Sequence, residues 1–269
     1  MSEGDIVFAG SVPEFYDTYL VPLIFEVYAD DIANRTKALN PKSVLEVAAG
    51  SGVVTRALAK RLDAEASYTV TDLNQPMLDY AASLQEQDNR VIWRQADALE
   101  LPFDEASFDA VVCQFGVMFF PDRVAGYREA RRVLKPGGTY LFNVWDAIDT
   151  NEFAHAVSDA AAAAFPDDPP GFLPRTPYGY FDLGLIRDEL GRAGFSQVSI
   201  NTLEKISAAP SPRHPAVAFC QGTPLRNEIE TRDASLLDHV TDRATEAIAA
   251  RFGSGAVEAK MRAHIVSAA

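Results

Sequence analysis

Short apolar segments alternate with helix-like segments between residues 43 and 146, and this alternation most narrows the folds open to the chain. Apolar runs predict strands, and apolar residues spaced three or four apart predict the helices between them. The predicted strands cover 43–47, 68–71, 90–94, 108–114 and 139–145, and the predicted helices cover 53–62, 75–87 and 122–134. Repeated strand–helix units form a parallel sheet with right-handed crossovers. The sequence therefore predicts a doubly wound α/β fold.

The remaining segments are less regular. They predict a helical front segment, a helix ended by Gly194, a sixth strand, two long helices and a last strand, at 13–39, 186–193, 196–206, 215–232, 234–252 and 263–267. A length of 269 residues suits one large α/β domain with an insertion. We expect a single domain made of an N-terminal helical cover, a cofactor-binding core, a variable segment, a helical insertion and a last strand, at 1–40, 41–146, 147–206, 207–256 and 257–269.

The formal net charge of −14 argues against nucleic acid as a partner, because a negative surface repels phosphate backbones. Arg131, Arg132 and Lys135 form a short basic cluster, which we interpret as a solvated helix end. Of the two cysteines, Cys113 lies in an apolar run and is expected to be buried. No metal-binding spacing occurs, so no metal site is expected.

Residues 1–5 carry neither a basic region nor a long apolar segment, so we expect no secretory signal. The longest apolar stretch, 108–120, is interrupted by Asp109, Gln114 and Gly116. It is shorter than the roughly 20 residues that a membrane-spanning helix needs. The sequence therefore predicts no membrane span and a cytoplasmic protein.

A turn of small residues, Glu46-x-Ala48-x-Gly50-x-Gly52, connects the first strand to the first helix. Small residues let the backbone approach a ligand closely, and the start of the helix offers free N–H groups. This pattern is typical of nucleotide-binding folds, although similar turns also occur as ordinary helix entries.

Asp72 follows Gly52 by 20 residues, at the end of the second strand. An acidic side chain at this distance can accept hydrogen bonds from both hydroxyls of a ribose. The alternative is a solvated aspartate beside a helix N-cap near Asn74. The two interpretations stay open on this residue alone.

Three further motifs follow in order: Gln95-Ala96-Asp97-Ala98-Leu99, Val112-Cys113-Gln114-Phe115-Gly116 and Arg132-Val133-Leu134-Lys135-Pro136-Gly137-Gly138. Together with the first turn and Asp72, their order and spacing resemble those of class I S-adenosylmethionine-dependent methyltransferases. The resemblance covers 40–146, about 40% of the chain, and is closest to the ubiquinone/menaquinone-biosynthesis-type (type 11) branch. Ala48 departs from that family's pattern, which has glycine at this position.

The resemblance implies a Rossmann-like, doubly wound, mostly parallel seven-stranded sheet with an antiparallel last strand and helical cover. It also implies S-adenosyl-L-methionine as the cofactor, with the backbone of Gln114 and Phe115 near its methionine part. The residues implied to bind it are Glu46, Ala48, Gly50, Gly52, Asp72, Leu73, Met77, Asp97, Ala98, Gln114 and Phe115.

The adenine ring has its own implied contacts. Asp97 would accept a hydrogen from the adenine amino group, and the Ala98 N–H would donate to a ring nitrogen. Leu73 and Met77 would lie on the two faces of the ring. Ordinary roles as a loop aspartate and core residues are the alternative.

The implied activity is methyl transfer to an oxygen, nitrogen or carbon atom of an unidentified small molecule. Aromatic residues in 13–39, 146–182 and 207–252 predict an acceptor pocket over the sheet edge and an apolar or aromatic acceptor. Tyr16, Tyr19, Phe115 and Trp145 are candidate wall residues, with core packing as the alternative. We assign no catalytic residue, since none of the four histidines is convincing, and we expect a monomer or homodimer.

Two other functions stay open. An NAD(P)-dependent oxidoreductase shares the strand–turn–helix unit and the ribose-binding acid, but Thr55 occupies its third glycine position. A non-catalytic S-adenosylmethionine-binding protein would carry the same cofactor motifs. Comparing the binding of S-adenosylmethionine and NADH separates the methyltransferase from the oxidoreductase. Detecting a methylated product separates the methyltransferase from the non-catalytic binding protein.

Overall fold

A computed structural model describes residues 15–269 of the chain. Residues 1–5, which bear on the predicted lack of a secretory signal, lie outside the described residues, as does Pro13, the predicted start of the front segment. No helix within 15–269 is long and apolar enough to cross a membrane.

Seven strands form one sheet in the order β3-β2-β1-β4-β5-β7-β6. Their bounds are β1 Ser43–Glu46, β2 Ser67–Asp72, β3 Val91–Gln95, β4 Phe108–Gln114, β5 Leu134–Trp145, β6 Val198–Ala209 and β7 Val257–Ala268. Six strands are parallel and β7 is antiparallel. The predicted Rossmann-like fold with an antiparallel last strand is confirmed.

Helices alternate with the strands and fill the segments between them. The α-helices are α1 Glu26–Ala38, α2 Val53–Ala59, α3 Gln75–Leu84, α4 Arg123–Val133, α5 Glu152–Ala164, α6 Phe172–Arg175, α7 Leu183–Arg192, α8 Arg213–Gln221, α9 Leu225–Asp233 and α10 Leu237–Phe252. A π-helix, Tyr16–Phe25, precedes α1 within the predicted front segment. Asp122 caps α4 by accepting from the Ala125 N–H at 2.9 Å, which explains where this helix begins.

Three predicted boundaries were wrong. The last strand, expected at 263–267, begins at Val257. The single helix expected at 215–232 is two helices, α8 and α9, interrupted before Pro224, whose ring nitrogen carries no N–H to continue a helix. The fifth strand starts at Leu134 and not at Thr139. Its pairing with β4 shifts register between Phe108 and Ala110, so a local irregularity accommodates Pro136 and the two glycines after it.

The contacts divide the chain into two compact units. The first comprises the residues up to Phe25, Trp145–Tyr180 and Leu203–Ala263. The second comprises Glu26–Val144, Phe181–Thr202 and His264–Ala269, and it contains nearly all of the predicted cofactor-binding core. The division into cover, core, variable segment, insertion and last strand stays a prediction.

The core of the second unit lies around β1, β2 and β4. Val44, Leu45 and Val111 are fully buried, as expected for strands covered on both faces. Cys113 is also fully buried, as predicted, and burial raises the pKa of its thiol to about 12. The thiol is therefore protonated at neutral pH, and its role is packing.

The first unit has its own aromatic core. The Trp145 ring lies 6.0 Å from Phe25 and 5.7 Å from Tyr178, centroid to centroid. Phe153 and Phe219 are almost completely buried as well. Packing within this unit accounts for these residues, which leaves their predicted part in an acceptor pocket a hypothesis.

Candidate functional site

The carboxyl ends of β1, β2, β3 and β4 meet at one edge of the sheet. Strand register pairs Glu46 with both Val70 and Val112, and it pairs Asp72 with Gln95. Ligands of open parallel sheets bind outside this edge. The acidic residues singled out in the sequence therefore lie where a ligand crevice is expected.

The turn after β1 has an unusual backbone. Ala48, Gly50 and Gly52 all have positive φ angles, of 55°, 56° and 80°. A Cβ on Gly52 would lie 2.9 Å from the Ala81 Cβ of α3, so only glycine permits this approach of the turn and the helix. Ala48 adopts the left-handed conformation despite its methyl group, which is strained for a non-glycine residue.

Ser51 is the one unsatisfied polar group of this turn among the residues that the structure describes. Its hydroxyl oxygen is buried and has no hydrogen-bond partner. Buried polar groups are nearly always paired with protein, water or ligand. An unpaired hydroxyl inside the turn is consistent with a turn that binds a polar molecule.

Asp72 connects the turn to the start of α3. Its Oδ2 accepts from the Gly50 N–H and its Oδ1 from the Asn74 N–H, both at 2.8 Å. Burial raises the pKa of Asp72, while these backbone donors lower it. The Leu73 N–H is a third backbone donor. A carboxylate has about four acceptor sites, so Asp72 can still accept from a ligand hydroxyl.

The Glu46 carboxyl group binds two side-chain hydroxyls. Its Oε2 accepts from the Thr55 hydroxyl at 2.7 Å and from the Tyr68 hydroxyl by a short hydrogen bond. The Glu46 side chain is buried, and burial raises its pKa to about 7, against the smaller lowering effect of the two hydroxyl donors. Burial, and then the Glu46 charge, raises the pKa of Tyr68 well above the usual tyrosine value. The carboxyl group thus ties β1 to both α2 and β2.

Asn143 on β5 holds the segment after β4. The Phe115 N–H donates to the Asn143 Oδ1 at 2.9 Å, and the Asn143 amide donates to the Gln114 Oε1 at 3.3 Å. Phe115 has a positive φ of 50° and a buried ring, which Tyr28 of α1 meets edge-on at 5.5 Å. Asn143 and Tyr28 escaped sequence reasoning because neither lies in a recognised motif.

Leu73 and Met77 differ in exposure. Leu73 is 53% exposed, unusual for a leucine, whereas Met77 is buried. The Met77 terminal methyl lies 4.0 Å from the position of a Cβ on Gly50, which places it over the turn. An exposed leucine next to Asp72 and a methionine over the turn suit a flat apolar ligand group.

The segment after β3 adjoins that of Asp72. The Ala96 N–H donates to the Asp72 backbone oxygen at 3.0 Å. Asp97 is exposed, and its Oδ1 accepts from the Leu99 N–H at 2.9 Å. The structure therefore places all eleven residues implied to bind cofactor in one unit, ten in the segments at the strand ends and Met77 at the start of α3.

The other candidate residues, three aromatic residues and two histidines, lie in the first unit. The aromatic residues are Tyr16, Tyr19 and Trp145. His155 lies 3.5 Å from Asp159 on α5, and the His214 ring contacts the Tyr19 backbone oxygen at 3.2 Å. Their contacts with neighbouring residues give no support to acid–base catalysis by these two histidines.

Comparison with known proteins covers the same core. A protein-family model described as a methyltransferase domain matches residues 44–138. The ubiquinone/menaquinone biosynthesis C-methyltransferase UbiE of Idiomarina loihiensis is 37% identical over 102 residues, which are 36% of this chain and 40% of that protein. The demethylmenaquinone methyltransferase of Clavibacter sepedonicus is 39% identical over 106 residues, or 38% of this chain and 42% of that protein. Over residues 44–138, these comparisons support a class I S-adenosylmethionine-dependent methyltransferase of the type 11 kind.

The match to these methyltransferases spans less than half the length of each relative. Solved structures extend the likeness in fold. A methyltransferase of Bacillus halodurans superimposes with a TM-score of 0.57 at 21% identity, covering 88% of this chain and 97% of that one. The [4+2]-cyclase SpnF reaches 0.56 at 18% identity, covering 91% and 80%. At such identities the likeness concerns fold alone.

Proposed function

We propose that this chain transfers a methyl group from S-adenosylmethionine, the cofactor of its family, to an oxygen, nitrogen or carbon atom of a small molecule. One observation supports this most: the Asp72 carboxylate, held by the Gly50 N–H, stands at the end of β2 beside a turn with three left-handed residues. Such a turn and acid suit a ribose and its neighbouring groups.

The residues of the turn fit this cofactor. Asp72 would accept from the ribose hydroxyls with its remaining lone pairs, and the unpaired Ser51 hydroxyl lies within the same turn. Gly50 and Gly52 would let the backbone approach. The proposal keeps Glu46 among the cofactor-binding residues. Glu46 would act indirectly, by fixing the position of the turn.

In this proposal, other residues bind the adenine and methionine ends of the cofactor. Leu73 and Met77 would bind the faces of the adenine, with Asp97 and Ala98 at its edge. Gln114 and Phe115 would contact the methionine part; Asn143 fixes this segment through the hydrogen bonds described above. When bound, the cofactor supplies an electrophilic methyl group on a sulfonium.

The protein's part in the reaction is positioning and exclusion of water. Holding two reactants in line removes much of the barrier to a displacement reaction. The buried Phe115 ring, which the Tyr28 ring meets edge-on, makes this edge of the sheet apolar and well packed. A general base is needed only for an acceptor that must lose a proton, so we assign none.

An apolar or aromatic acceptor is the substrate class we propose. The names of the relatives support it, since they describe C-methyltransferases of ubiquinone and menaquinone biosynthesis. The contact of Tyr28 with Phe115 supports a role for α1 beside the acceptor. A cytoplasmic location, a monomeric or homodimeric state, and no nucleic-acid partner stay predictions.

Calorimetry with S-adenosylhomocysteine and with NADH tests the cofactor. We expect a dissociation constant on the order of micromolar for the former and no binding of the latter. The reverse result favours the oxidoreductase. Incubation with S-adenosylmethionine and a panel of phenols, hydroquinones and aromatic amines, followed by mass spectrometry, then tests transfer. Cofactor binding without any methylated product favours the non-catalytic alternative.

A further inference from the structure

A groove of about 730 Å³ lies in the second unit beside the connector from α4 to β5. Its lining includes Ala106, which precedes β4, and Leu134 at the start of β5. Parallel strands start at the edge opposite to their carboxyl ends, so the groove is separate from the proposed cofactor site. The connector, which the proposed function leaves without a role, forms one wall.

Four basic residues line the groove: Arg128, Arg131, Arg132 and Lys135. Two of them are already neutralised. Arg132 pairs with Glu129 at 2.7 Å, and Lys135 pairs with Asp109 at 2.9 Å. In a chain whose net charge is −14, the basic side chains of the groove that make no ion pair within 15–269 are the other two, Arg128 and Arg131.

Arg131 is an exposed cation that makes no hydrogen bond or ion pair with any residue of 15–269. Its guanidinium lies beside the backbone of Gly194. A Cβ on Gly194 would lie 3.1 Å from the Arg131 Nε, so the glycine leaves room for the side chain there. The donors of this guanidinium are not used by the described residues.

Arg128 lies three residues before Arg131 on α4, and residues at this spacing share a helix face. It is exposed, and its guanidinium donates a long hydrogen bond of 3.4 Å to the Arg192 backbone oxygen. Two arginines on one face, with donors available, suit the planar oxygens of a carboxylate or phosphate.

Apolar side chains line the groove beside the arginines. Leu134 and Phe195 do so although each is largely buried, at 8% and 5% exposed, and Ala193 lies between α7 and β6. Among the described lining residues, Glu105 is the acidic one. The volume falls in the range of small-molecule sites, which combine apolar walls with a few polar groups.

We propose that this groove binds a small amphipathic anion, with its carboxylate or phosphate on Arg131 and Arg128 and its apolar body on Leu134 and Phe195. The free guanidinium donors supply the anion site, and the limited volume and apolar lining residues favour a compact ligand over an extended polymer. The proposal is independent of the proposed methyl transfer.

Calorimetry with n-octyl phosphate below its micelle concentration tests it, with octanoate as the carboxylate probe. Inorganic phosphate lacks the apolar body and octyl glucoside lacks the charge, so both are expected to bind at least about tenfold more weakly. Whichever of octyl phosphate and octanoate binds more tightly identifies the head group.

Arg131→Gln is expected to weaken octyl phosphate binding about tenfold or more, and Arg131→Glu to weaken it further. Arg243→Gln, which removes one exposed arginine of the first unit, is the matched control and should leave binding unchanged. Circular dichroism and S-adenosylhomocysteine binding report whether each variant is folded. Equal affinity of wild type and Arg131→Gln, displacement of octyl phosphate by S-adenosylhomocysteine, or no binding of either probe would overturn the proposal.

Discussion

The ends of β1 and β2 each carry a carboxyl group, and the two groups differ in what holds them. Glu46 is bound by two side-chain hydroxyls, of Thr55 and Tyr68, and is 2% exposed. Asp72 is bound by the backbone N–H groups of Gly50 and Asn74 and is only partly buried.

This difference bears on protonation. A hydroxyl donates or accepts, so the partners of Glu46 suit both its charged and its neutral form. A backbone N–H only donates, so the partners of Asp72 suit the carboxylate alone. Glu46 is therefore fitted to hold strands and helix together in either state, whereas the donors around Asp72 favour its carboxylate form and offset the effect of burial, which raises its pKa.

The largest expected effect comes from Glu46→Gln, measured as stability against pH. The pKa of Glu46 is about 7 in the folded protein and 4.5 as the unperturbed reference. Between these values the unfolded chain has released a proton that the folded protein keeps, so the stability from Glu46 is full below about pH 4.5 and falls as the pH rises to about 7. The total change is about 3 kcal/mol.

Urea unfolding of both proteins between pH 4.5 and 8 measures this difference. Relative to Glu46→Gln, the wild type should lose stability as the pH rises from 4.5 to about 7. Above about pH 7, the stability curves of the two proteins should run parallel. Glu86→Gln changes an exposed glutamate of the same unit and serves as the control. Parallel curves over the whole range would mean that Glu46 is ionised in the fold like an ordinary surface acid.

The second-largest expected effect is that of Asp72→Asn on the affinity for S-adenosylhomocysteine. Asp72→Asn keeps the shape but turns one acceptor oxygen into a donor, which then faces a backbone N–H or a ribose hydroxyl. Loss of hydrogen bonds to a charged acceptor amounts to about 1.5–3 kcal/mol, or roughly 10- to 100-fold in S-adenosylhomocysteine affinity. Asp79→Asn on the exposed side of α3 should leave the affinity unchanged. An unchanged dissociation constant in a folded Asp72→Asn would remove Asp72 from the site.

Sequence reasoning predicted the strand ends well because periodicity reports burial. The apolar run at 108–114 matched β4 residue for residue, and Gly194 ends α7 with a φ of 97°, as a helix-terminating glycine does. Once the strands are parallel, their carboxyl ends must meet, so the positions of Glu46 and Asp72 follow from the order of elements.

The partners of Glu46 could not be predicted in the same way. Thr55 and Tyr68 follow it by 9 and 22 residues, and each suits its own helix or strand without any polar role. Only the packing of α2 and β2 on β1 brings their hydroxyls to one carboxyl group. The available signal was indirect: a hydroxyl residue, Thr55, where dinucleotide-binding folds carry a glycine.

The smallest expected effect concerns Ala48, in the turn between the two acids. Its φ of 55° lies in the left-handed region, which disfavours a residue with a Cβ by about 1–2 kcal/mol. Glycine removes that strain, but its greater freedom in the unfolded chain costs about 0.5–1 kcal/mol. Ala48→Gly should therefore stabilise the protein by about 0.5 kcal/mol, measured by urea unfolding at pH 8, where the Glu46 contribution no longer varies with pH. Ala57→Gly, in the interior of α2, half-buried and without a positive φ, should destabilise it by about 1 kcal/mol. Equal destabilisation by both substitutions would show that the Ala48 methyl contributes more through its contacts than its backbone strain removes.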